Sequence, residues 1–324
     1  MTAQLAIAYL PHRREEYADL TVYSLSRMSP AHKAKVELNI LTAKHAEPLS
    51  RWDRIVAKCK TAGLPVNVVD TTHEYMRKVN YAISRPIEYS VKLDEDCFMS
   101  EHAWEFLIDN LGILDDPKNV ILAPSLSNGI PSCEQFLDDF FSDEERGVPY
   151  EMFRRTHIPN MWGVDYSSLN GACNAGWDRG AYYEAVSRIQ HHYRGIHPIR
   201  INEVAQHCVN ELVLKHVDQF SQKHAFGIKQ LVAPYFCNSF FAIKTALWKR
   251  IVEDKSLFRD AFDEVPINIY RQNIDGRFMF ITKCFAVHTM YNTLYGGECS
   301  ADIEGNKKRE AEFFKAMKKA IMGE

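Results

Sequence analysis

Short apolar runs alternate with stretches of helical spacing over the first 125 residues. Leu5–Leu10 is an apolar run closed by Pro11, and Tyr17, Leu20, Leu25 and Met28 then recur at helical spacing. Residues 36–41 predict a second strand, 50–62 a second helix, and 64–69 a third strand that ends in Asp70-Thr-Thr. A helix over 74–83 leads into a strand over 89–93. Ser100 is placed to cap the next helix, where Trp104, Leu107, Ile108 and Leu111 share one face. Residues 120–123 predict a fifth strand. Such repetition predicts an α/β fold, a mostly parallel, Rossmann-related sheet flanked by helices. In sheets of this kind ligands bind beyond the carboxyl ends of the strands.

Beyond residue 130 the pattern changes. Between Tyr150 and Tyr193 the chain carries Tyr150, Phe153, Trp162, Tyr166, Trp177, Tyr182, Tyr183 and Tyr193, with Arg154, Arg155, Arg179 and Arg188 interleaved. Seven of the 13 histidines fall between His157 and His224. A helix is expected over 202–217, with Val204, Ala205, Cys208 and Leu212 as its apolar stripe. Strands return over 229–233, 240–243 and 278–287, and a charged tail over 307–319 carries Phe313, Phe314 and Met317, with Ile321 just beyond. The expected organisation is an α/β half over 1–129, an inserted helical lobe over 130–228, and completion of the first domain plus a terminal helix over 229–324.

Composition narrows the class without naming a chemistry. With 46% hydrophobic and 25% charged residues, the chain is neither disordered, collagenous nor a disulfide-dense miniprotein. Its 39 basic and 42 acidic residues leave a formal charge of −3, so no global excess calls for a polyanionic partner, although local patches remain open. The eight cysteines occur singly with no Cys-x-x-Cys pair, which argues against a zinc ribbon and for buried reduced thiols. The start lacks a basic segment followed by a long apolar one, and no run reaches the roughly 20 apolar residues of a membrane span. These features predict a protein of the reducing cytoplasm, in a cell or a virus-infected host.

Candidate chemistry concentrates in Tyr89-Ser-Val-Lys-Leu-Asp-Glu-Asp-Cys-Phe98. The strand delivers Asp94 and Asp96 to the carboxyl edge, where paired carboxylates can hold Mn2+ or Mg2+ and through it a pyrophosphate. A bare Asp-x-Asp is more often a solvated turn; its place after an apolar strand in an alternating fold is what singles it out. Asp70 either meets a ligand or caps its own turn with Thr71. Asp263 and Glu264 open a helix, as general base or as partners of the helix dipole. His191, His192 and His197 have no zinc-ligand spacing.

The chain resembles the nucleotide-sugar-dependent glycosyltransferases of the GT-A fold. Leu93-Asp-Glu-Asp-Cys-Phe98 matches their Asp-x-Asp motif, and Lys78-Val-Asn-Tyr-Ala82 is similar to the segment that leads into it. Phe236-Cys-Asn-Ser-Phe-Phe-Ala-Ile-Lys-Thr-Ala-Leu-Trp248 resembles the loop, strand and helix beside donor sugar and acceptor. The resemblance implies a metal at Asp94, Asp96 and His288, and a donor bound by Asp70, Lys78, Asp94, Asn238 and Ser239. It implies a base at Asp263 or Glu264 in an inverting transfer. The donor expected is a nucleotide-sugar, a UDP-sugar first, and the acceptor a glycan or a hydroxylated base in phage-type DNA. Motif order matches over residues 4–125 and 229–293 and is silent on 130–228. There the aromatics and arginines either serve the acceptor or build the lobe's core.

Two other readings compete. A nucleotidyltransferase also joins a parallel sheet to metal-binding carboxylates, but Leu10-Pro-His-Arg-Arg14 is not a glycine-rich phosphate loop. A non-catalytic module binding glycan or nucleic acid would retain the same fold.

Overall fold

The computed structural model describes residues 3–11, 15–42, 49–71, 74–160, 164–188, 197–231, 235–257, 263–289 and 303–323. The strands are β1 (Leu5–Leu10), β2 (Val36–Thr42), β3 (Val66–Asp70), β4 (Tyr89–Asp94), β5 (Cys97–Phe98), β6 (Asn119–Leu126), β7 (Gly227–Gln230), β8 (Phe240–Lys244) and β9 (Arg277–His288). The helices before the middle of the chain are α1 (Glu15–Arg27), α2 (Pro30–Lys33), α3 (Asp53–Thr61), α4 (Tyr75–Ser84) and α5 (Glu101–Asp109). Then come α6 (Cys133–Phe140), α7 (Asp143–Arg154), α8 (Ser167–Asn174), α9 (Arg179–Ser187), α10 (Pro198–Ile201) and α11 (Glu203–Lys215). The last are α12 (Thr245–Glu253), α13 (Glu264–Asn273) and α14 (Ile303–Met322). Two compact units result, one of residues 1–125, 220–231 and 238–286, the other of residues 126–219, 232–237 and 287–324.

The first unit is built on the sheet, in the order β3-β2-β1-β4-β8-β6-β9-β5 with β7 on β9. Strands β3, β2, β1 and β4 pair in parallel. The register sets Asp94 opposite Leu10 and Asp70 opposite Thr42, so both carboxylates stand at the carboxyl edge. All six residues of β1 are buried, as a strand covered on both faces by helices requires. Here the α/β class with a mostly parallel core and an inserted helical part is as the hydrophobic pattern predicts. The strand expected over 120–123 is present as part of β6, but β8 lies between β4 and β6 and pairs antiparallel with both. Two antiparallel steps make β6 parallel to β4 without touching it. Strand β8 arrives more than a hundred residues after its neighbours, and local spacing carries no trace of that pairing.

Ser100 caps α5 as expected, its hydroxyl accepting from the Ala103 N–H at 3.3 Å. That cap starts the helix where Trp104 reaches the ring of Phe240, at 5.2 Å between centroids. In β9 Lys283 is exposed with a left-handed φ of 52°, and every residue after it to His288 is buried.

The second unit is helical. Phe153, Tyr166 and Tyr182 are fully buried, and the rings of Phe153, Trp177 and Tyr182 stand 5.3, 5.4 and 5.5 Å from His197. These aromatics form the core of the lobe. Its arginines are paired as well, Arg154 and Arg155 with Glu151 and Arg188 with Glu184. Trp162, His191, His192 and Tyr193 lie outside the described residues. In α11 the buried stripe is Ala205, Gln206, Val209, Asn210 and Val213, one position away from the expected one, and Val204 is exposed. The reason is polar: Gln206 and Asn210 are inside, and the Asn210 carbonyl accepts from the Asn128 amide at 3.4 Å. An apolar-spacing argument cannot anticipate buried carboxamides. Along α14, Phe313, Phe314 and Met317 are buried as predicted. No helix among the described residues is long and apolar enough to cross a membrane.

Candidate functional site

Strand alternation puts Ser90, Lys92 and Asp94 on one face of β4. Lys92 is only 2% exposed, and its ammonium reaches both Asp94 oxygens at 2.8 and 2.9 Å and the Asn238 carbonyl at 2.6 Å. The Tyr75 ring lies 5.5 Å from the same nitrogen. A lysine is buried only when its charge is matched, and here two oxygen-bearing groups and a ring face match it. The Asp94 N–H also donates to the Ser239 carbonyl at 3.0 Å. Asp94 itself stays partly open, its side chain 33% exposed.

Asn238 links this cation to an anion. Its side-chain amide donates to Asp263 at 2.6 Å and to the Tyr75 hydroxyl at 3.2 Å. Asp263, the residue before α13, is fully buried and accepts from Tyr75 at 2.5 Å and from the Trp248 indole at 2.7 Å. Burial raises its pKa above the ordinary aspartate value, against the opposing pull of Lys92 and of the Tyr75 and Trp248 hydrogen bonds. Tyr75 in turn is pushed well above the ordinary phenol value, by burial and then by Asp263 and Asp94. Glu264, next in sequence, is only half-buried and accepts from the Asn238 backbone N–H at 3.4 Å.

The structure thus brings Asp94, Asn238, Ser239, Asp263 and Glu264 together in the first unit. Lys78 is buried and donates to the Pro11 carbonyl at 3.1 Å, which ties α4 to the end of β1. Asp70 is exposed at the end of β3. Its neighbour Thr71 makes the turn, bonding to the Thr42 carbonyl through N–H and hydroxyl at 2.7 and 3.0 Å. His288 belongs to the second unit, is buried, and bonds through its backbone to Ser127 and Asn128. Sequence reasoning missed Lys92, Tyr75 and Trp248. The signal for Lys92 was a charge inside an apolar strand, two residues before Asp94 and hence on its face.

Asp96 is half-buried, and the Cys97 thiol donates to it at 3.9 Å. The Tyr9 hydroxyl, in the strand next to β4, is buried without a hydrogen-bond partner among the described residues. Burial, then the charges of Glu95 and Asp96, push that phenol well above its ordinary value. The hard oxygen donors of Asp94 and Asp96 fit a divalent cation with oxygen preference.

A second group of ligand types, Cys133, Glu134 and His197, is fully buried in the second unit. His197 Nδ1 accepts from the Ile199 N–H at 3.1 Å, so the protonated nitrogen is Nε2, which donates to Glu134 at 3.1 Å. Glu134 also accepts from the Cys133 thiol at 3.0 Å and from the Tyr183 hydroxyl at 3.3 Å. With one ring nitrogen committed to a backbone donor and the other protonated toward Glu134, this group is a hydrogen-bonded knot, ill-suited to a metal. Burial pushes the Glu134 carboxyl up, but His197 and Arg179 outweigh it and hold it at about 2.

No protein-family model matches the sequence, and no curated protein matches it. Among solved structures, residues 1–349 of S. aureus TarS are similar at 13% identity and a TM-score of 0.30, over 66% of this chain and 65% of that one. The same fragment with UDP-GlcNAc gives 14% and 0.28, over 67% and 70%. A cytidylyltransferase from Leptospira borgpetersenii gives 15% and 0.28, over 38% and 54%. The chain thus spans about half of that cytidylyltransferase and just under two thirds of the unliganded TarS fragment. Likenesses at this level decide nothing about chemistry, which has to be argued from the site.

Proposed function

We propose that this protein is a metal-assisted glycosyltransferase that takes its sugar from a nucleoside-diphosphate sugar. The observation that carries the reading is the partly open Asp94 carboxylate at the carboxyl edge of a parallel sheet, held against the Asn238–Ser239 loop, with Asp96 two residues on. This is where open α/β sheets bind ligands. Asp94 and Asp96 would hold Mn2+ or Mg2+, which when bound neutralises the charge of a departing diphosphate.

The chain's own residues divide the remaining tasks. Asp94, Asn238 and Ser239 orient the donor, with Asp70 available at the neighbouring strand end for ribose or base. Lys78 keeps the end of β1 in place through the Pro11 carbonyl. Of the acidic pair, Glu264 is the proposed base, because it is the half-buried member. The acceptor oxygen bonds to the anomeric carbon as the carbon–oxygen bond to the diphosphate breaks, and Glu264 receives the hydroxyl proton. Asp263, enclosed by three donors, holds Asn238 for that step. The stereochemistry proposed is inversion.

Incubation with UDP-, GDP-, dTDP- and CDP-sugars plus Mn2+ tests the reading through release of nucleoside diphosphate. Release from one donor class, enhanced by a glycan or by hydroxylated DNA, is expected. Pyrophosphate release from a nucleoside triphosphate and a sugar phosphate would point to a nucleotidyltransferase instead. Silence with every donor would contradict the enzyme. Affinity for a DNA acceptor is expected to fall steeply with salt, and affinity for a neutral glycan hardly at all.

A further inference from the structure

Lys92 is buried behind the partly open Asp94 carboxylate. It occupies the middle of β4, in register with Ala8 of β1 and Phe241 of β8. At 2% exposure it is shielded from solvent. Its ammonium nevertheless holds two groups that belong to different parts of the proposed chemistry, the donor-side Asp94 carboxylate and the carbonyl of Asn238. The Asp94 N–H to Ser239 carbonyl bond runs alongside. Asn238 is gripped at its other end by the buried anion Asp263, which also holds Tyr75 at the start of α4 and Trp248 on α12. A buried cation and a buried anion are therefore joined through one asparagine, and the chain Asp94–Lys92–Asn238–Asp263 crosses β4, the β8 entry loop and the start of α13.

Removing one charge from such a chain leaves the other charge and two hydrogen-bonding groups without their match. We propose that Lys92 is the positioning residue of the site, a buried buckle that fixes the Asp94 carboxylate and the Asn238–Ser239 loop as one rigid piece. The role rests on the transferase reading above. It requires that Lys92 act on nucleotide binding through Asp94. Groups that orient first-contact ligands from behind are worth roughly 10- to 100-fold in affinity or activity when lost.

Calorimetric titration of UDP with Mn2+ tests this on the full chain. Lys92→Met removes the charge at similar length; Lys92→Gln retains a donor for the same oxygens and serves if the methionine variant does not fold. Circular dichroism and thermal melts establish the folded fraction first. The expected result is a roughly 10- to 100-fold weaker UDP affinity in either variant, nearly the same loss in Asp94→Asn, and little further loss when the two changes are combined. Non-additivity is what a merely structural lysine would not give. Unchanged affinity, or losses that multiply in the double variant, would overturn the positioning role and leave the transferase reading standing. A wild-type protein that binds UDP no better than buffer, and no other nucleoside diphosphate either, would overturn both.

Discussion

Asp263 and Glu264 are adjacent acids with opposite circumstances. Asp263 is enclosed by Tyr75, Asn238 and Trp248, while Glu264 keeps part of its surface. Glu264→Gln should therefore leave the melting temperature near that of the wild type and lower kcat by roughly 100-fold or more. Asp263→Asn should lose stability first: one of its new amide hydrogens has to face the Trp248 or the Tyr75 and Asn238 donors, at a cost of about 1–3 kcal/mol. Thermal melts beside turnover of the same two variants separate these outcomes. At this scale the acidic pair was legible from its place before a helix, but the difference between its members was not. Burial depends on Trp248 and Tyr75, and neither precedes or follows the pair at any spacing that a periodicity argument uses. Lys92 was legible in part, from Asp94 two residues on, but its other acceptor, Asn238, lies 146 residues away in sequence.

Elements were easier to foresee where they are made by neighbours in sequence. Strands β1 to β4 and helices α1, α3 and α4 follow from apolar runs and spacing, and Ser100 was recognisable as a cap from its position alone. Ser100→Ala should cost about 1 kcal/mol by losing the bond to the Ala103 N–H, readable as a shift of the urea midpoint at unchanged slope. Strand β8 and the buried face of α11 were not legible. One is defined by a distant antiparallel pairing, the other by carboxamides that bond inside the second unit. Both are tertiary choices that override local pattern.

For the molecule as a whole, the near balance of 39 basic and 42 acidic residues conceals carboxylates with very different roles. Glu134 contributes to acid stability. Its carboxyl titrates at about 2 in the folded chain against 4.5 unperturbed, so its contribution is fully present above pH 4.5 and is lost as pH falls toward 2. Glu134→Gln should flatten the loss of stability over that window, read by hydrogen exchange or melts of the second unit against pH. Asp94 and Asp96 are proposed to have the opposite task, holding negative charge where a cation can use it. The claim is tested most directly by the affinity for UDP measured with and without Mn2+. The wild-type protein should bind UDP at least roughly tenfold tighter with the metal, and Asp96→Ala should erase that difference while remaining folded. Binding that ignores Mn2+, or a metal effect that survives in Asp96→Ala, would contradict the account.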